Sequence, residues 1–167
     1  MNSPPGRTRG SELRRWLDKL PKAELHLHLE GAIPLDALWA LIQKYGGDPS
    51  VPTETHLRQR LTYSDFPDFI ETWIWKNSFL RTYDDFSFIA EKVAQDLLRQ
   101  NILYAELFFS PSRFADRGLT TIGLAKAIRS GLGRVSGCEI WLIADLVRDH
   151  GPIQAAITLT EVATARH

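Results

Sequence analysis

Ala23-Glu24-Leu25-His26-Leu27-His28-Leu29-Glu30-Gly31 alternates polar and apolar residues from Glu24 to Glu30. Side chains of a β-strand point to opposite faces with period two. The stretch therefore predicts a strand with Leu25, Leu27 and Leu29 on one face and Glu24, His26, His28 and Glu30 on the other. The leucine face needs an apolar cover, best supplied by a layer of helices. The opposite face gathers two imidazoles and two carboxylates. A plain core does not do this, because buried ionisable groups need a partner or a metal. Gly31-Ala32-Ile33-Pro34 ends the strand and leads into a helix. The histidines thus fall near the strand's C-terminal end, where parallel α/β folds place their active sites.

His-x-His alone is a common tripeptide and says little. The apolar alternate face, the acid two residues on and the glycine stop make His26 and His28 candidate metal ligands. Neutral imidazole suits zinc, and also iron, nickel and copper. Neighbouring carboxylates can orient the rings.

Composition narrows the class. The 167 residues carry no formal net charge, which argues against an electrostatic grip on nucleic acid or an anionic membrane. The single cysteine, Cys138, excludes an internal disulfide framework and fits a reducing compartment. No apolar run is long enough to span a bilayer. Residues 1–10 are rich in Pro, Gly and Arg, lack a hydrophobic signal core, and read as a disordered tail. A cytoplasmic protein is expected.

Outward from the first strand, helical and strand patterns alternate. Residues 11–20 read as a short amphipathic helix capped by Ser11 and stopped by Pro21, either a barrel plug or a surface helix. Residues 34–45 form a helix with Pro at its start and Gly46-Gly47 beyond its end. Residues 48–62 read as a polar loop in which His56 is solvated. Residues 64–80 are aromatic, with Phe66, Phe69, Ile70, Trp73 and Asn77 on one helical face and Ser64 or Asp65 as cap. Residues 83–100 make a strong helix with Asp84 and Asp85 at its positive end. Residues 102–110 are a nearly continuous apolar strand, interrupted by Glu106, for which an ion pair inside the fold is the favoured role. A helix over 120–135, weakened by Gly131 and Gly133, which allow close packing on the sheet, precedes a third strand over 139–147 with Asp145 near its end. His150 follows in an exposed loop, and a last helix begins at Pro152. Strands separated by helices imply parallel pairing with right-handed crossovers.

Pro21-Lys22-Ala23-Glu24-Leu25-His26-Leu27-His28-Leu29-Glu30-Gly31-Ala32 resembles the first-strand signature of the adenosine deaminase family, within the metal-dependent amidohydrolases. Leu103-Tyr104-Ala105-Glu106-Leu107-Phe108-Phe109-Ser110-Pro111 resembles the second strand of that family. The resemblance implies a (β/α)8 TIM barrel, of which residues 11–167 supply about three βα units with helices inserted after strand one. Such a barrel typically takes about 250 residues, so the N-terminal part is expected here. It implies a zinc ion that lowers the pKa of its water to about 7 for attack on the amino-bearing carbon of a 6-aminopurine, releasing ammonia. His26 and His28 would be metal ligands, and His28 and Glu30 would stand on the substrate side. Phe66, Phe69 and Trp73 would form an apolar lid over the purine. The family usually carries Asp at Glu30 and Arg at Phe108, so the expected substrates run from adenosine, the favoured one, to adenine or an aminofutalosine-type nucleoside.

The resemblance also implies a third His ligand, an Asp ligand, a general-acid Glu and a further His from later strands. None is matched within these residues, and after His150 only His167 remains. The expectation is a deaminase-derived chain with part of its site, weakly active or inactive alone. The rival readings are a non-catalytic interaction module, one half of a two-chain barrel meeting a C-terminal partner or its own copy, and another His-x-His amidohydrolase.

Overall fold

The computed structural model describes residues 9–164. Three strands, β1 (Lys22–His28), β2 (Ile102–Phe109) and β3 (Glu139–Ala144), form one parallel sheet in the order β1-β2-β3. Seven helices accompany them: α1 (Arg9–Lys19), α2 (Leu35–Lys44), α3 (Glu54–Arg60), α4 (Phe66–Asn77), α5 (Tyr83–Arg99), α6 (Thr121–Leu132) and α7 (Gly151–Thr164). Three helices, α2 to α4, thus separate β1 from the crossover helix α5. The tail expected over residues 1–10 lies outside the described residues up to residue 8. Arg9 and Gly10 already belong to α1, so Ser11 sits inside that helix rather than capping it.

The core lies on one side of the sheet. Ala105, Leu107 and Phe109 of β2 are buried there against α2, α5 and α6, through residues such as Leu38, Ile42, Phe86, Ile89, Val93, Leu124 and Ile128. The other side of β2, with Tyr104, Glu106 and Phe108, is only half-buried. The second strand is therefore covered on one face, not on both as its apolar run suggests.

Glu106 finds no cation among the described residues. Its Oε1 accepts from the Tyr104 hydroxyl at 3.1 Å, two residues back on the same face.

The alternation of β1 is broken. Glu24 registers with Ala105 but Leu27 with Leu107, so three steps on β1 match two on β2. A slip of one residue resets which face each side chain takes. Glu24 is carried to the Ala105 side, away from the histidines, and Leu25 is left 59% exposed. Leu27 and Leu29 still pack in the core as the pattern predicts.

Other local expectations meet specific partners. Asp65 caps α4, accepting from the Asp68 amide at 2.9 Å. The segment expected as a loop contains α3, capped by Thr53, whose hydroxyl contacts His56 Nδ1 at 2.7 Å. A 3₁₀ turn over Pro111–Arg117, not anticipated, follows β2. Gly131 packs on α5 rather than on the sheet, so close to the Ser87 carbonyl that a Cβ there would collide with it. Gly133 only caps α6. Asn101 takes a left-handed backbone (φ 58°) between α5 and β2, and its side chain donates to the Lys19 carbonyl at 2.7 Å.

Candidate metal centre

The C-terminal ends of the three strands bring the site residues together. His26 and His28 lie on the open face of β1, and their Nε2 atoms are 3.2 Å apart. Two nitrogens bound at about 2.0–2.1 Å to one tetrahedral ion would sit about 3.3 Å apart. The pair thus has the spacing of two ligands of one metal. Among the described residues no cluster of three or more His, Cys, Asp or Glu completes a site. The two imidazoles fit half of a four-coordinate shell.

The neighbours of these rings come from β2 and β3. Phe108 registers with His28 and stacks on His26 at 4.4 Å between centroids and 12° between planes. Asp145, one residue beyond β3, places Oδ2 3.6 Å from His28 Nδ1. That is an electrostatic contact rather than a hydrogen bond, and it favours the tautomer with the proton on Nδ1 and Nε2 bare. Partial burial lowers the His28 pKa, Asp145 opposes this, and His26 and Arg113 reinforce it. The neutral form that binds metals is thereby favoured.

Glu30 is enclosed. It is fully buried just past the end of β1, and Oε1 accepts from the Ser110 amide at 2.8 Å. The Ser110 hydroxyl donates to Asp145 Oδ2 at 2.8 Å, so one serine joins the two carboxyl groups. Glu30 Oε2 and Asp145 Oδ1 are buried without a protein partner. Burial pushes the Glu30 carboxyl up to about 7, against the pull of the Ser110 amide. Lys76, 4% exposed on α4, donates to the Gly31 carbonyl at 3.0 Å. Its burial lowers the ammonium to about 8, while the charge of Glu30 opposes that.

Helix α4 therefore lies over the turn that follows the histidines. Of the lid candidates, Phe66 is 72% exposed, whereas Phe69 and Trp73 are half-buried. Phe66 and Phe69 stack on each other at 6.1 Å, and the Arg113 guanidinium covers Trp73 at 4.6 Å. The buried side of α4 is formed by Thr72, Lys76 and Asn77 rather than by the aromatic stripe. His56 and His150 stay apart and exposed, His150 against the Ser112 hydroxyl at 2.8 Å. Ser110, within the second-strand motif, and Asp145, near the end of the third strand, carried no site role in the sequence, and Lys76 and Arg113 gave no signal there. The available signal was position, for Ser110 and Asp145 are polar residues directly after parallel strands.

A cleft of about 860 Å³ opens elsewhere, on the helix side between α6, α7 and the strand residues Phe109, Leu142 and Ala144. No carboxylate or histidine lines it, so it offers no acid–base pair.

Comparison with known proteins bears on the family and the fold. The family described as Adenosine deaminase matches residues 21–166. The adenine deaminase of Bordetella avium (strain 197N) is 34% identical over 158 residues, covering 92% of this chain and 50% of that protein. The adenine deaminase of Pseudomonas putida KT2440 is 31% identical, covering 90% and 49%. Among solved structures, the adenine deaminase of Arthrobacter aurescens superposes with a TM-score of 0.72 at 25% identity, covering 86% of this chain and 45% of that one. An amidohydrolase of Burkholderia ambifaria with bound Zn gives 0.80 at 25% identity, covering 92% and 43%. The chain spans about half the length of the curated relatives it matches, and its parallel sheet corresponds to part of their amidohydrolase TIM-barrel architecture.

Proposed function

The chain belongs to the adenosine deaminase family, and we propose that it is the metal-binding N-terminal portion of a hydrolase that removes the amino group of a 6-aminopurine. The observation that carries this reading is the convergence of His26 and His28 to 3.2 Å at the end of β1. A divalent ion, zinc by the likeness to the Zn-bound relative, supplies the activation of water for attack on the ring carbon. His26 and His28 hold the ion through Nε2. Asp145 keeps the His28 ring turned for binding. Glu30 belongs to the floor of the purine site beside His28, with Oε2 the oxygen that Ser110 leaves free. Phe66, Phe69 and Trp73 lie on the helix over that floor and close on the apolar faces of the purine.

The base adenine is the preferred substrate, ahead of the nucleoside. The curated relatives at 31–34% identity are named adenine deaminases, and Glu30, one methylene longer than Asp, takes up room beside the purine. The single cysteine, free and half-buried, suits a reducing cytoplasmic setting.

A second reading concerns assembly. Outer β3 has no neighbour on its far side among the described residues, Trp141 is 56% exposed, and α7 exposes Ile153, Ile157, Leu159 and Val162. Surfaces of this kind invite further βα units to cover them, on the same or another polypeptide. Ammonia release tests both readings, with the zinc-supplemented chain alone and after adding a polypeptide matching the other half of an adenine deaminase relative. Adenine turnover only in the mixture is expected. Preference for adenosine would overturn the base assignment, and robust turnover by the chain alone would overturn the partial-site reading.

A further inference from the structure

We propose that Phe108 is a positioning residue for the metal site: its ring fixes the imidazole of His26 so that the two Nε2 atoms converge. The inference rests on the reading of His26 and His28 as metal ligands. A ligating histidine is normally oriented by a hydrogen bond from its other ring nitrogen to a carboxylate or carbonyl. His28 has such a neighbour in Asp145. His26 does not: among the described residues its ring shares a hydrogen bond only with His28. The ring is also exposed, and beyond that contact no polar group among the described residues limits its rotation. Phe108 replaces that restraint. It lies across from β1 in register with His28, stacks nearly parallel on His26, and stands 5.6 Å from the His28 ring at a tilt of 35°. One phenyl ring thus touches both imidazoles and sets the angle between them, 46° at 5.2 Å.

The register slip between Glu24 and Leu27 makes this contact possible. It brings the β1 face that carries the histidines into line with the Phe108 face of β2 just before the strand ends. Stacked aromatic pairs are favourable by an amount equivalent to roughly two- to tenfold in an equilibrium. Loss of the stack should therefore weaken metal binding by a similar factor without removing a ligand.

Zinc titration by calorimetry of the 167-residue chain, compared with Phe108→Leu and Phe108→Tyr, tests this. The expected result is an affinity about two- to tenfold lower for Phe108→Leu and restored by Phe108→Tyr. In the metal-free chain, proton NMR should show the His26 ring signals shifted upfield by the phenyl ring, with the shift lost in Phe108→Leu and kept in Phe108→Tyr. Urea unfolding of each variant separates loss of orientation from loss of fold. A fall of less than about twofold in a folded Phe108→Leu protein, or unmoved His26 signals, overturns the positioning role while leaving the metal reading intact. Absence of zinc binding by the unmodified chain overturns the metal reading, and this inference with it.

Discussion

The backbone amide of Ser110 donates to Glu30 Oε1 at 2.8 Å, joining the residue after β2 to the turn after β1 across 80 positions of sequence. The same serine reaches Asp145 beyond β3. The strand ends are thus tied by a polar chain beside the histidines, and the buried Glu30 carboxyl at one end of it has one oxygen without a protein partner.

That carboxyl should make stability depend on pH. The folded chain holds the Glu30 proton up to about 7, against 4.5 for an ordinary glutamate. Between those values the native state binds more protons than the unfolded chain, so stability falls as pH rises. The interval corresponds to roughly 3 kcal/mol for this one group. Urea unfolding of the metal-free protein from pH 4 to 8 should show the decline, and Glu30→Gln should flatten it. An equal slope in both proteins would remove Glu30 as the source.

Asp85 should be a main support of the helix layer. Fully buried in the first turn of α5, it accepts from Lys44 Nζ and the Tyr45 hydroxyl, both at 2.6 Å, and from the amides of Arg81 and Thr82 at 2.9 and 2.8 Å. Burial acts to raise its pKa, but these donors together hold it below the usual value. Its contribution is complete above pH 3.8 and is lost as pH falls below that through the folded value. Asp85→Ala should destabilise by about 2–4 kcal/mol at neutral pH, because it strands two backbone amides as well as the cation. A change under about 1 kcal/mol in chemical denaturation would contradict this.

Gly131→Ala should destabilise although alanine is the better helix former. The added Cβ meets the Ser87 carbonyl of α5, a backbone atom that cannot swing aside. A cost of about 1–3 kcal/mol is expected from overpacking. Gly133→Ala, where the nearest contact is a tight 3.2 Å to the Arg129 carbonyl that a shift of a few tenths of an ångström relieves, should cost less. Thermal unfolding of the two variants checks the order.

Metal binding should single out two of the histidines. His26→Ala and His28→Ala should each weaken zinc binding at least tenfold in calorimetry. His56→Ala and His150→Ala remove rings engaged with Thr53 and Ser112, and should leave the affinity unchanged. Equal losses at all four would mean that binding is diffuse.

Phe66→Ser should leave stability within about 0.5 kcal/mol, since the ring is 72% exposed. In an assembled enzyme the same change should raise KM for the purine with little effect on kcat. A large loss of stability would make Phe66 a packing residue instead of a lid.

The sequence by itself determined the strands, most of the helices and their order, but not α3 or the 3₁₀ turn after β2. Hydrophobic period is a local property, and it located β1, β2, β3 and the long helix α5. It also identified His26 and His28, because two imidazoles one residue apart on a strand share a face wherever that strand lies. Tertiary structure alone decided the register slip that takes Glu24 from the histidine face. It also decided the enclosure of Glu30 by Ser110, the approach of Asp145 to His28, and the burial of Lys76 over Gly31. Each of these joins segments far apart in the chain. A slip in a ladder and the end-to-end alignment of strands depend on how whole elements pack, and no pattern within one element records that.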